Sequence, residues 1–122
     1  MDERAILYVD DEWSNRVVFE QSFGKNFRVI CASSGEEALE ILRKERIAVL
    51  VSDQRMPRMS GNELVGHARP LRPDMRVLYV SGYSEEAIAR HGRLTEGVEL
   101  LSKPFTPGVL TAKIRQILDR TS

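Results

Sequence analysis

Apolar residues along the chain gather in short runs, and the segments between the runs have a helical period. The runs are AILYV from Ala5, FRVICA from Phe27, AVLVS from Ala48, RVLYVS from Arg76 and VELLS from Val98. Several of them are nearly continuous rather than alternating, which is typical of strands covered on both faces of a parallel sheet. The sequence therefore predicts a parallel sheet of five strands.

Two of the intervening segments begin with the signature of a helix N-terminus. Ser34 with Glu37, and Ser60 with Glu63, have the spacing of a capping box, in which serine and glutamate each bind a backbone N–H of the other. Apolar stripes at helical spacing follow both serines: Ala38, Leu39 and Leu42 in one segment, and Leu64, Val65 and Ala68 in the other.

The other predicted helices differ in the strength of their signals. The last is the clearest, because Thr106 is a suitable cap, Pro107 suits the first helical position, and an apolar stripe follows: Leu110, Ile114, Ile117 and Leu118. The first spans about residues 13–23, with an inner face of Val18, Phe19 and Phe23. The fourth, residues 84–91, has only a thin apolar face.

Strands and helices thus alternate along the whole chain. This pattern predicts right-handed crossovers with helices on both faces of the sheet. A chain of 122 residues suits one hydrophobic core, so we expect a single domain over residues 1–122.

Composition narrows the classes of function. Eighteen basic and 18 acidic residues balance, so no global field recruits nucleic acid or an anionic membrane. Cys31 is the only cysteine, which excludes an internal disulfide and favours a buried, inert thiol in a reducing compartment. The sequence has neither an apolar signal core nor a run that could span a bilayer, so a soluble cytoplasmic protein is expected.

Polar side chains stand at the ends of the predicted strands. The first strand ends in Asp10 and Asp11, the third in Asp53, the fourth in Ser81 and the fifth in Lys103. Taken singly, each has a structural explanation, as a helix cap, a turn residue or a solvated charge. Ligands of open parallel sheets, however, bind beyond the carboxyl ends of the strands, where these residues would converge.

The convergence predicts a site for phosphoryl transfer. Three carboxylates in one cleft repel one another, which favours a hard divalent cation between them, and Mg²⁺ is usual where phosphate oxygens complete the shell. Lys103 and Ser81 would supply a positive charge and a hydrogen-bond donor to a phosphoryl oxygen. Asp53, alone on the middle strand, is the best nucleophile and would form an aspartyl phosphate.

The motifs LYVDDE, VLVSDQRMPRMSG, VLYVSGYS and LLSKPF resemble, in order and spacing, those of CheY-like receiver domains of bacterial two-component response regulators. The resemblance implies a flavodoxin-like (βα)5 three-layer sandwich of the α/β class with sheet order 2-1-3-4-5. It also implies phosphorylation of Asp53, with Mg²⁺ held by Asp11, Asp53 and the backbone carbonyl of Arg55. Asp10 would support the ion through water, and Ser81 and Lys103 would hold phosphoryl oxygens.

Partners follow from the same resemblance. A sensor histidine kinase or a phosphotransfer protein would supply the phosphoryl group. The face of the fourth helix, fifth strand and last helix would contact an output domain or target protein, or a second copy on phosphorylation. The domain itself would bind neither nucleic acid nor membrane and would transform no external metabolite. The resemblance further implies a cis peptide bond between Lys103 and Pro104.

Two positions leave questions open. Leu100 stands where the family often has an aromatic residue whose ring turns inward on activation, so how activation is read here stays open, with Tyr83 as either a substitute ring or a packing residue. Arg55 either contacts the phosphoryl group and alters its lifetime, or is an exposed charge or a member of a salt bridge. Two other functions also remain open: a docking module that signals without phosphorylation, and a small Mg²⁺-dependent phosphohydrolase.

Overall fold

The structure, a computed structural model, describes residues 2–25, 27–53, 58–81, 98–102 and 107–120. The strands are β1 (Asp2–Val9), β2 (Phe27–Ala32), β3 (Val49–Asp53), β4 (Arg76–Ser81) and β5 (Val98–Ser102). The helices are α1 (Trp13–Phe23), α2 (Gly35–Lys44), α3 (Gly61–Ala68) and the C-terminal helix (Pro107–Arg120). The predicted fourth helix, residues 84–91, lies outside the described residues.

The five strands form one parallel sheet in the order β2-β1-β3-β4-β5. This order confirms the predicted flavodoxin-like arrangement. Because all five strands run in the same direction, their carboxyl ends, with the polar residues found there, lie at one edge of the sheet.

Hydrophobic clusters on both faces of the sheet explain the nearly continuous apolar runs. Side chains of β1 alternate between the faces: Leu7 packs in the cluster that includes residues of α2 and α3, whereas Ile6 and Tyr8 pack in the cluster with α1 and the C-terminal helix. The sheet therefore lies between two helical layers, as predicted.

The helical stripes agree with their predicted faces except in α1. The predicted stripe of the C-terminal helix is fully buried: Leu110, Ile114, Ile117 and Leu118. In α1, Phe19 and Phe23 are buried, but Val18 is 59% exposed, so its predicted place on the inner face was wrong. Neighbouring helical residues point about 100° apart, and the Phe19–Phe23 face turns Val18 outward.

The two predicted capping boxes have different outcomes. At α3 the box is complete: Ser60 Oγ accepts from the Glu63 N–H at 3.2 Å, and Glu63 Oε1 accepts from the Ser60 N–H at 3.4 Å. At α2 only half of the box forms, because Ser34 Oγ accepts from the Glu37 N–H while the Glu37 carboxylate accepts from Ser33. Ser33 thus donates to the Glu37 carboxylate in place of the Ser34 N–H that a complete capping box would use.

None of the described helices combines the length and the apolar character needed to cross a membrane.

Candidate functional site

The strand register brings the predicted acidic residues to the same edge of the sheet. Val9 is paired with Ser52, so Asp10 and Asp53 follow directly on neighbouring strands. On the other side of β3, Asp53 is paired with Val80, next to Ser81 at the end of β4. The described backbone therefore places these strand ends side by side, as the sequence predicts.

The remaining predicted site residues fall partly or wholly outside the described structure. Ser81 is paired with Ser102 in the sheet, but its side chain is not among those described. Arg55 and the Lys103–Pro104 bond lie outside the described residues. Their predicted roles stay predictions.

Asp10 is the most constrained acidic residue at this edge, with only 1% of its surface exposed. One carboxylate oxygen, Oδ1, accepts from the Glu12 N–H at 3.0 Å. The other, Oδ2, accepts from the Tyr8 hydroxyl at 2.7 Å and from Asn15 Nδ2 at 3.0 Å. A buried carboxylate without hydrogen-bond donors would destabilise the fold, and these three donors both prevent that loss and fix the orientation of the carboxylate.

Tyr8 reaches Asp10 from inside the hydrophobic cluster between the sheet and α1. Its ring stacks on Phe19, with centroids 4.1 Å apart and planes 6° from parallel. Burial, the hydrogen bond to Asp10 and the charges of Asp10 and Asp53 together raise the pKa of Tyr8 well above its ordinary value. The hydroxyl therefore stays protonated and acts as a donor.

The start of α1 is tied to the backbone of the same aspartate. Arg16 Nη1 donates to the Asp10 carbonyl at 2.8 Å, and the Asp10 N–H donates to the Ala32 carbonyl of β2 at 3.1 Å. The guanidinium brings positive charge close to the acidic edge, and these bonds connect β1, β2 and α1 around Asp10.

The other two acidic residues are more accessible. Asp11 is exposed and has no hydrogen-bond or ion-pair partner within the described ranges. Asp53 is half-buried at the end of β3, and the Ser52 hydroxyl donates to its backbone carbonyl at 2.9 Å. The acidic edge therefore combines one buried carboxylate held by three donors with one that is half-buried and one that is exposed.

The donor chemistry of this edge fits a magnesium ion, since Mg²⁺ prefers carboxylate and carbonyl oxygens and retains several waters. Asp10 already accepts three hydrogen bonds, which suits the predicted contact through water better than direct ligation. Across the described side chains, no group of three or more His, Cys, Asp or Glu residues is assembled closely enough to hold a metal by itself. Further oxygens, from water, phosphate or residue 55, would complete the shell.

Tyr8, Asn15 and Arg16 were missed by the sequence analysis as supporting residues. The signal for Tyr8 was present, because it precedes Asp10 by two residues and alternate residues of a strand point to the same side. For Asn15 and Arg16 the sequence offers no signal beyond their position in the first turn of α1, and that position does not reveal their bonds to Asp10.

Comparison with known proteins identifies relatives over most of the chain. Residues 6–115 match the family described as response regulator receiver domain. The Sensor kinase CckA of Brucella abortus is 33% identical over 119 residues, which cover 95% of this chain and 13% of the kinase. The Response regulator receiver protein CpdR of the same organism is 28% identical, over 95% of this chain and 97% of its own length.

A solved structure agrees with the fold. The chemotaxis protein CheY4 of Vibrio cholerae superposes with a TM-score of 0.87 at 28% sequence identity, covering 95% of this chain and 99% of that one. The chain spans between 13% and 24% of the length of the first curated relatives that it matches. Most of the length of those relatives therefore lies outside the alignment with this chain.

Proposed function

The chain belongs to the response regulator receiver domain family, and on that premise we propose that it is a signalling switch phosphorylated on Asp53. The observation that carries the proposal is the register of β1 and β3, which sets Asp53 beside an Asp10 held by three donors. Asp53 ends the central strand and is half-buried, a position suited to a nucleophile approached from beyond the sheet edge.

The reaction is a displacement at phosphorus. A carboxylate oxygen of Asp53 attacks the phosphorus of a phosphohistidine, and the new O–P bond forms as the P–N bond breaks. The imidazole leaves with the electron pair of that bond and takes up a proton. Water later attacks the aspartyl phosphate, which restores the carboxylate and releases inorganic phosphate.

The residues of the acidic edge would prepare this step. A bound Mg²⁺ would neutralise charge on the phosphoryl oxygens. Asp11, Asp53 and the Arg55 carbonyl would hold the ion, and Asp10 would support it through water. Tyr8 and Asn15 keep the Asp10 carboxylate in one orientation, so its position does not have to be reorganised on binding.

Two further residues would act on the phosphoryl group itself. We assign Ser81 as the hydrogen-bond donor and Lys103 as the positive charge that bind phosphoryl oxygens. The end of β4 beside Asp53 supports this role for Ser81. Movement of Ser81 toward the phosphate would pass the signal to the face formed around β5, where Leu100 replaces the usual aromatic ring.

The relatives suggest the partners. One is named a sensor kinase and another a response regulator receiver protein, so receiver domains of this kind occur joined to a kinase and alone. We propose a sensor histidine kinase or phosphotransfer protein as the donor, and an output domain or target protein as the recipient of the signal. The switch would act in the cytoplasm and, on phosphorylation, could pair with a second copy.

Intact mass after incubation with a small phosphodonor and Mg²⁺ tests the proposal. The wild-type chain should gain the mass of one phosphoryl group, and Asp53→Asn should gain none. Asp74→Asn is the matched control, because Asp74 is an exposed aspartate in the loop before β4, at the opposite edge of the sheet. It should be labelled like the wild type.

Other outcomes contradict the proposal. An unlabelled wild-type chain, under conditions that label another receiver domain, would support the docking module. Continuous release of phosphate from an external phosphoester, lost in Asp53→Asn, would support the phosphohydrolase.

A further inference from the structure

A second candidate site lies at the opposite edge of the sheet, around the amino ends of the strands. Here a cavity of about 790 Å³ opens between the start of β1, the start of β2 and the loops before β3 and β4. Its volume is in the range of small-molecule sites. Arg4 in its wall and Asp10 are six residues apart on one extended segment, so about 20 Å separates this cavity from the acidic edge.

The lining of the cavity is strongly basic, although the chain as a whole is neutral. Four arginines from four separate segments face it: Arg4, Arg28, Arg46 and Arg72. Among the described residues of the lining Asp74 is the only acidic one, and Glu45 lies beside the cavity. The folded chain thus concentrates positive charge that is dispersed in the sequence.

Backbone carbonyl oxygens accept hydrogen bonds from two of these guanidinium groups. Arg4 Nη1 donates to the Leu118 carbonyl at 3.0 Å. Arg72 donates through Nε and Nη2 to the Glu45 carbonyl at 3.4 and 3.3 Å. Carbonyl oxygens carry no formal charge, and a guanidinium has five N–H donors, so the bonds to Glu45 orient Arg72 without neutralising its charge.

The side chains of Arg28 and Arg46 are less firmly held than those of Arg4 and Arg72. Arg28 forms an ion pair with the Glu45 carboxylate at 3.2 Å, with both side chains about half exposed. Arg46 is exposed, and it has no hydrogen-bond or ion-pair partner in the described part of the chain. Exposed pairs of this kind are weak and exchange readily for a more highly charged anion.

Between the arginines, the cavity has an apolar wall. Ile47 and Met75 are buried, and Ala48, Leu71 and Pro73 line the cavity beside them. A ligand that fits must therefore combine an apolar group with several negative charges. Arginine binds phosphate through paired N–H donors, and a planar base can lie against an apolar wall.

We propose that this cavity binds a small organic polyphosphate of nucleotide size. The limited size of the cavity and the neutral net charge of the chain favour a small molecule over nucleic acid, which needs an extended basic surface. The site is independent of phosphoryl transfer to Asp53, because it lies at the other end of the strands and contains none of the acidic-edge residues.

Calorimetric titration of the whole chain with ATP in EDTA, at near-physiological salt, tests the proposal. EDTA removes divalent ions, so binding at the acidic edge does not contribute. ATP should bind, inorganic tripolyphosphate should bind more weakly, and adenosine should give no signal. In Arg28→Gln/Arg46→Gln the dissociation constant for ATP should rise at least about tenfold, because each arginine supplies charge-assisted hydrogen bonds.

Arg43→Gln is the matched control. Arg43 is an exposed arginine of α2 paired with Glu40, and it is not in the cavity lining. It should bind ATP like the wild type. An equal loss in the control and the double variant would show a nonspecific charge effect and overturn the proposal.

Three other results also overturn it: no ATP binding by the wild-type chain, unchanged binding by the double variant, or tighter binding of duplex DNA or an acidic peptide than of ATP. Uptake of a phosphoryl group by Asp53 is measured separately by mass. A chain that takes up phosphate but binds no ATP therefore contradicts this inference alone.

Discussion

The Tyr8 hydroxyl donates a 2.7 Å hydrogen bond to the Asp10 carboxylate from within the hydrophobic cluster beneath α1. The bond links the core to the acidic edge, because the ring is fixed by its stack on Phe19 and the hydroxyl faces the carboxylate. A rigid core side chain thereby helps to determine where a charged group of the site lies.

Removal of this hydroxyl should cost stability without disturbing the packing. Tyr8→Phe keeps the ring and its stack, but it deprives a buried carboxylate of one of three donors. We expect a loss of about 1–2 kcal/mol in the free energy of unfolding, measured by urea denaturation, because hydrogen bonds to charged groups are the stronger kind.

Tyr79→Phe is the matched control for that experiment. Tyr79 is also buried, but its hydroxyl donates to the neutral Gly61 carbonyl at a long 3.5 Å. Its removal should cost no more than about 0.5 kcal/mol. Equal losses in the two variants would show that Asp10 gains nothing specific from Tyr8.

Magnesium binding should be visible in the fluorescence of Trp13. Trp13 is the only tryptophan, it is 70% exposed, and it lies two residues after Asp11. Titration with Mg²⁺ should change its emission, and Asp11→Asn should raise the dissociation constant about tenfold through loss of a charged ligand. Asp74→Asn should match the wild type; an unchanged constant in Asp11→Asn would remove that residue from the ion site.

The sequence was sufficient to predict what depends on the order and period of residues. The helical stripes follow from the period of the apolar residues, and the arrival of Asp10 and Asp53 at one edge follows from the parallel sheet that the apolar runs indicate. The order of the strands was implied by the family resemblance and is confirmed. Family resemblance added the roles of individual residues, which spacing alone does not supply.

The sequence could not predict which of several adjacent residues makes a given contact. Val18 fits an apolar face as well as Phe19 does until the packing of aromatic rings fixes the rotation of α1. Likewise, two serines lie within reach of the Glu37 carboxylate, which accepts from Ser33 rather than from the backbone N–H of Ser34. The basic cavity was also missed, because its arginines come together only when the loops before β3 and β4 fold against β1.

Cys31 should react slowly with alkylating reagents. The sequence predicts a buried thiol, whereas Cys31 is half-buried, and its Sγ donates to the Arg16 carbonyl at 3.9 Å. Burial, with a further contribution from Glu20, raises the pKa of the Cys31 thiol from 9.0 to about 11, although Arg16 opposes the shift. At pH 8 the folded chain should react about 100-fold more slowly with iodoacetamide than the urea-unfolded chain, because only the thiolate is nucleophilic.

The pH dependence and a variant identify the cause of the slow reaction. The rate for the folded chain should keep rising up to about pH 11, where the thiol ionises. Glu20→Gln should raise the rate a few-fold, whereas Glu40→Gln, on the outer side of α2 beside Arg43, should not. A rate that levels off near pH 9 would contradict the raised pKa.

Two glycines at helical positions should respond to alanine in opposite directions. A Cβ on Gly35, the first residue of α2, would overlap the side chain of Met59, which lies six residues after Asp53 in the sequence. Gly35→Ala should therefore lower the free energy of unfolding by about 1–2 kcal/mol through overpacking. A Cβ on Gly66, inside α3, meets nothing within 4 Å, so Gly66→Ala should raise the free energy of unfolding by about 0.5–1 kcal/mol through helix propensity.

Urea denaturation measures both changes. The double variant Gly35→Ala/Met59→Ala should recover part of the stability lost in Gly35→Ala, because the Met59 thioether that overlaps the new Cβ is gone. Equal effects of the two single variants, or no recovery in the double variant, would mean that Met59 does not set the requirement for glycine at Gly35.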